Sequence, residues 1–426
     1  MALMAPVVHY PLHQATLDNG LRVIVNPDPS VPVVAVNLWY DVGSRDERPG
    51  RTGLAHLFEH LMFEGSANVT SGEHLATVQS VGGSANATTW FDRTNYFETV
   101  PTGALDLALW LEADRLASLQ VTQHNLDNQR DVVMEEKRQR YDNVPYGDVM
   151  LHLVQLTFPA DHPYGHPTIG SMDDLAAATL DDAKAFFVTH YAPGNAVLTL
   201  VGDIDPTDGI ARANSFFGGL AASSRPVREV TAPLSPLTGV PRREVTATVP
   251  ADAAYLSWRL PASDTPAFDA LELALAALGD GQTSRLHRRL VRNDQIAEGA
   301  GASTTGLIGG TSLGFASARA LPGVTGAQLE DAIVDEFERF IADGPTTAEV
   351  DRVKAQYERE WLGELARFDN RADLFSSYAT LQGDPEAVNR RLDEIRAVTI
   401  DDVAAAASDW LAADQRAVVT YHRERA

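Results

Sequence analysis

The pentapeptide His56-Leu57-Phe58-Glu59-His60 (HLFEH) constrains this chain more than any other feature. It has the inverted zinc-peptidase pattern H-x-x-E-H. On a helix the two histidines sit at i and i+4, so both imidazoles leave one face a turn apart and can grip a single metal ion. Glu59, next to His60, can reach a water at that ion as a general base. The flanking Leu54, Ala55, Leu57, Phe58, Leu61, Met62 and Phe63 require a buried helix. Two histidines and a glutamate inside such a helix are costly without a partner, and a metal is a natural one.

A third protein ligand is expected to be a carboxylate on another helix. Leu126 to Tyr141 (LDNQRDVVMEEKRQRY) reads as a long charged helix carrying Glu135 and Glu136. From these residues alone either glutamate is a candidate, and composition favours a solvated helix face as the explanation of the pair.

At this point the chain resembles the pitrilysin/insulinase family of zinc metallopeptidases, in particular its half-size, processing-peptidase-like branch. The matching segments are DNGLRVIV (Asp18 to Val25), Gly53 to Gly65, and GGSANATTWFDRTNYFETVP (Gly82 to Pro101). RDVVMEEKRQRYDNVPYG (Arg130 to Gly147), HPYGHPTIGSMDDL (His162 to Leu175) and FFVTHYAPGNAVLTLVGDID (Phe186 to Asp205) follow in order. The resemblance implies that His56, His60 and Glu136 bind one Zn2+ per chain, with Glu59 as the base. It implies that Asn86 and Ala87 lie on a strand that pairs with the backbone of an extended peptide substrate. Where relatives often have a second glutamate, seven residues before the ligand, this chain has Gln129, which can hydrogen-bond behind a ligand but brings no charge.

Relatives that act as peptidases also carry an Arg and, seven residues later, a Tyr in the C-terminal half. The matching segment here, LHRRLVRNDQIAEGAG (Leu286 to Gly301), puts Val291 and Glu298 at those positions. The resemblance therefore implies a heterodimer, with a homologous partner subunit supplying Arg and Tyr. A non-catalytic structural subunit and a peptide-binding protein are the competing readings.

The 426 residues exceed one ordinary core and suggest two domains. We expect an α+β fold of two similar domains, each a mostly antiparallel sheet packed with helices, together forming a clamshell-like half chamber. The boundaries drawn from sequence are 1–222 for the metal-binding domain, 223–242 for a Pro- and Ser-rich linker, and 243–426 for a second domain without the motif. Helical patterns cover 51–66, 71–81, 103–119, 124–141 and 265–279, and strands are expected near 195–204, 243–249, 254–260 and 416–422. Trp90, Phe91, Tyr96 and Phe97 alternate with polar residues as in a half-buried strand. The net charge of 34 − 58 = −24 argues against nucleic acid and anionic membrane as partners. With no cysteine, a thiolate zinc site is excluded. His162 and His166 repeat the i, i+4 spacing, but Pro163 and Gly165 between them argue against a helix and a metal role. No membrane span is expected, and MALMAPVVHYPLHQ does not read as a signal peptide. The expected location is cytoplasmic, or periplasmic or secreted if a leader precedes this sequence.

Overall fold

The computed structural model describes residues 8–228 and 230–424. It contains two β-sheets. The first has strands β1 (His13–Thr16), β2 (Arg22–Pro27), β3 (Val33–Tyr40), β4 (Ser84–Thr89), β5 (Thr94–Pro101) and β6 (Ala196–Gly202), in the spatial order β1-β2-β6-β3-β5-β4. The second has β7 (Arg242–Ala247), β8 (Ala253–Pro261), β9 (Ala297–Thr305), β10 (Thr311–Ala320) and β11 (Arg416–Arg423), in the order β7-β11-β8-β10-β9. Without β1, the two orders are the same when each set is counted along its own half. Each sheet has one parallel pair, β2 with β6 and β7 with β11; the remaining pairs are antiparallel. The expected α+β class and the repeated architecture are both present.

The two compact units are not colinear with the chain. One comprises Met1–Val133, Thr168–Arg228 and Glu360–Leu392; the other comprises Met134–Pro167, Glu229–Arg359 and Asp393–Ala426. Each thus takes one helical segment from the opposite half. In the first unit, the helix Phe368–Ser377 lays Ala372 and Phe375 on Ile24, Ala35, Trp39, Val197 and Val201 of the sheet. In the second, the helix Val149–Thr157 sets Leu153 against Ala253, Val419 and Tyr421. Burying such apolar faces is the main favourable term in the assembly of each unit.

Local chemistry sets the element ends. The helix Leu54–Leu61 starts at Gly53, whose φ of 88° suits glycine, and a Cβ there would lie 2.8 Å from the Ile169 carbonyl. The helix Pro266–Gly279 ends at a glycine whose added Cβ would lie 1.8 Å from the Ala302 amide, so helix and strand β9 meet backbone to backbone. Tyr96 and Phe97 lie on β5, whereas Trp90 and Phe91 lie in the turn between β4 and β5, with Trp90 44% exposed. The expected strand is therefore shorter at its start. His162 is a packing residue of the second unit: its ring stacks on Phe158 at 4.9 Å and its Nδ1 accepts from the Tyr164 amide. No helix among the described residues is long and apolar enough to cross a membrane.

Candidate metal centre and its surroundings

The helix Leu54–Leu61 buries Leu54, Ala55, Leu57, Phe58 and Leu61. Phe58 packs against Tyr191 at 4.6 Å and against Phe186 and Phe187, both at 5.7 Å. The amino end of the helix is held by a carboxylate: Glu47 accepts from the amides of Gly53 (2.9 Å) and Ala55 (2.7 Å). This satisfies two of the donors that a helix start leaves open and complements its dipole. Asp174 accepts from the amide and hydroxyl of Thr52 immediately before it.

The helix thus fixed turns His56 and His60 to one side, their rings 4.9 Å apart and nearly perpendicular. Opposite runs the helix Gln123–Lys137. Arg130 pins it by donating to the carbonyls of Leu175 (2.9 Å) and Ala178 (2.7 Å). The boundary between the compact units falls inside this helix, between Val133 and Met134, and the last turn of the same unbroken helix carries Glu136. His56, His60 and Glu136 each offer one ligand atom, and the three atoms lie within 4.8 Å of one another. Glu135 diverges: about half exposed, it pairs with Arg138 at 2.6 Å and accepts from Gln139 at 2.9 Å. Glu136 is ion-paired with the exposed Arg140 at 2.6 Å.

Gln129 sits behind His60. Its amide Nε2 donates to Glu64 at 2.5 Å, which leaves Oε1 to face His60 Nδ1 at 3.3 Å. Because Glu64 can only accept when ionised, the amide has one sensible orientation. Nδ1 of His60 then carries the proton and Nε2 keeps its lone pair for a metal. Glu64 completes the chain with the carboxylate charge that Gln129 lacks. Two imidazoles and a carboxylate, with one ring so oriented, are a donor set suited to zinc.

Glu59 accepts a hydrogen bond from Thr89 Oγ1 at 2.5 Å, at the end of β4. Asn86 is exposed and Ala87 buried on this strand, which pairs with β5 alone and forms the edge of the sheet. The Ala87 amide donates to Asn86 Oδ1 at 2.9 Å. The sequence reading missed Glu47, Glu64 and Thr89. Glu64 had a signal, lying four residues after His60 within the helical pattern expected over 51–66, although the helix itself ends at Leu61 and Glu64 sits in the bend that follows. Thr89 had none, because its contact crosses from strand to helix.

In the second unit, Val291 is half-buried against the core and Glu298 forms an ion pair with Arg319 at 3.7 Å. Neither side chain offers a hydrogen-bond donor in its ionised or native form.

A second convergent group, His74, Glu98 and Glu112, is buried in the first unit. His74 Nε2 lies 2.6 Å from Glu98, and Arg115 makes a bidentate pair with Glu112 while stacking over Tyr96 at 4.3 Å. Arg115 already supplies the cation here. Burial pushes Glu98 and Glu112 up to about 7, against the pull of Arg115, and pushes His74 down to about 4.

A repeated α+β architecture with an inverted histidine pair facing a helical glutamate defines the class of inverted-motif metalloproteins. Residues 22–171 match the family described as Insulinase (Peptidase family M16), and residues 177–357 match the one described as Peptidase M16 inactive domain. The zinc protease PqqE of Helicobacter pylori is 30% identical over 420 residues, covering 96% of this chain and 93% of that protein. An uncharacterised zinc protease of Streptomyces coelicolor is 27% identical over 94% of this chain and 87% of its own length. The crystal structure of a protease from Helicobacter pylori superposes with a TM-score of 0.91 at 28% identity, covering 97% of this chain and all of that one. The chain belongs to the insulinase family, peptidase family M16.

Two predictions follow from this geometry. Glu136→Gln severely weakens zinc retention on dialysis, read by elemental analysis, whereas Glu135→Gln leaves it nearly unchanged; the reverse ranking would shift the helix register by one residue. The second concerns the buried group. Between the ordinary glutamate range and about 7, the native state holds protons on Glu98 and Glu112 that the unfolded chain has released, so stability from these groups is lost as pH rises through that window. His74 acts oppositely between about 4 and its usual value, but is one group against two. Glu98→Gln removes one such proton. Urea unfolding from pH 5 to 8 should show the wild type losing stability relative to this variant, with a slope of up to about 1.4 kcal/mol per pH unit.

Proposed function

We propose that this chain is a zinc-dependent endopeptidase subunit that cleaves extended peptides. The observation that carries the reading is the convergence of His56, His60 and Glu136, with Glu59 held at the same helix face by Thr89. In this reading His56, His60 and Glu136 hold one zinc ion. Zinc, when bound, supplies Lewis-acid polarisation of the scissile carbonyl and of water. Glu59 takes the proton of the attacking water on its carboxylate and passes it to the leaving amine. Thr89, donating to one Glu59 oxygen, orients the carboxylate for that step. Gln129 and Glu64 keep the His60 ring in the tautomer the site requires.

The substrate joins the free edge of β4 as an added strand, reading main chain more than side chain. Asn86 gives up its hold on the Ala87 amide when the peptide arrives. The two halves, 1–222 and 243–426, are copies of one ancestral domain joined through 223–242, and the shared strand order supports this. Glu229 of that linker lies outside the described residues. Val291 and Glu298 supply no donor for a developing oxyanion, and a carboxylate there would oppose it. The active form is therefore a heterodimer with a homologous half-size chain that carries the Arg and Tyr. A cytoplasmic location goes with this reading, and a periplasmic or secreted one is the alternative.

Glu59→Gln should retain zinc and fold but lose hydrolysis of a quenched peptide by roughly 10²–10⁴-fold, since the ligands survive and the base does not. Unaltered turnover would remove Glu59 from the mechanism and favour a non-catalytic, peptide-binding subunit. For the partner, the purified chain alone should hydrolyse that peptide weakly or not at all. Mixing it with a homologous chain bearing the Arg/Tyr pair should raise turnover at least tenfold. Robust hydrolysis by the single chain, as monomer or homodimer, would refute the heterodimer.

A further inference from the structure

The face of the first sheet opposite the HLFEH helix holds a cavity of about 220 Å³ beside the β4 edge. Asn37 of β3, Asn95 and Phe97 of β5 and Thr88 of β4 form its floor, and Glu364, Asp369 and Asp373 bring carboxylates to its wall. It is too small for a whole small-molecule ligand and large enough for one side chain.

Its chemistry is one-sided. Arg93, also at the wall, is already committed, donating to the Thr88 carbonyl at 2.9 Å and to Asn95 at 3.0 Å. Asp373 gathers Trp39 Nε1 (2.7 Å) and Asn95 Nδ2 (2.8 Å) on one oxygen, Oδ1, while Oδ2 takes no hydrogen bond among the described residues. Asp369 is paired only with the exposed Arg367, a contact that solvent makes weak. Asn37 is 1% exposed, yet its Oδ1 has no hydrogen-bond partner. A buried acceptor left unmade is costly and calls for a donor. Lining charges of one arginine against three carboxylates, with an orphan acceptor on the floor, suit a cationic donor group.

Position gives that cation a source. Thr88 and Thr89 are neighbours on β4 and point to opposite faces. Thr89 meets Glu59, whereas Thr88 lines the cavity. A peptide strand added to β4 therefore sets one side chain over the cavity within one or two residues of the bond opposite Glu59. We infer that this cavity is a specificity subsite for a lysine or arginine side chain of the substrate. The inference rests on the peptidase reading above.

The test uses binding, so it does not depend on turnover. Zinc-loaded full-length Glu59→Gln protein, mixed with the homologous chain bearing the Arg/Tyr pair, is titrated with labelled extended peptides in which a single arginine, lysine, norleucine or glutamate is scanned along the sequence. One register should favour arginine or lysine over norleucine by roughly tenfold, the scale of one charge-assisted hydrogen bond. Adding Asp369→Asn with Glu364→Gln should erase that preference while norleucine peptides bind as before, and Asp369→Lys should turn it toward glutamate. Circular dichroism checks that each variant is folded. Peptides that bind with no charge preference, or a preference that survives the carboxylate substitutions, would overturn the subsite and leave the peptidase reading standing. Absence of binding by every peptide would overturn both.

Discussion

The candidate centre depends on keeping a short, largely buried helix polar on one side. Leu54–Leu61 carries two histidines and a glutamate among residues that pack into the first unit, and each polar group there needs a partner. The protein meets this need with hydrogen bonds in series. Glu47 satisfies the helix start, Thr89 holds Glu59, and Gln129 with Glu64 backs His60. None of these contacts is strong alone. Together they fix the helix start, the His60 ring and the Glu59 carboxylate before any ligand arrives, which favours metal binding and a well-placed base.

Much of this was legible in the chain. The helix of the histidines, the charged helix with Glu136 and the strands at 195–204 and around Tyr96 follow from periodicity, because each signal is local. The separation of Glu135 from Glu136 was not legible from composition: both are charged residues in a charged helix, and only the anchor made by Arg130 sets which one faces inward. Thr89 was invisible for a similar reason, since a threonine in a strand of threonines carries no mark of its partner. The exchange of helices between halves was also hidden. A linear reading divides a chain where composition shifts, whereas contacts recognise that Phe375 belongs with Trp39.

The two sheets show how one architecture can carry different chemistry. With the same strand order, the first half places HLFEH before its β4 edge, and the second places the apolar helix Pro266–Gly279, ending backbone to backbone on β9. The first helix is polar toward one side and must be supported by neighbours. The second is buried among Leu271, Leu275 and Leu278 and needs only close packing. Fold is shared; function resides in the few side chains grafted onto one copy.

The helix exchange also bears on how the chain is made. After ribosomal synthesis passes Gly202, all strands of the first sheet exist, but the helix that covers Ile24, Ala35, Trp39 and Val197 has not been translated until Phe368–Ser377 emerges. At ~5–20 residues per second, that apolar sheet face waits on the order of ten seconds or more without its cover. The nascent first half is thus a natural client for holding factors, and premature release of a truncated chain would leave a sticky sheet. Completion of the first unit is thereby tied to a segment made about 160 residues after its last strand, Glu360–Leu392.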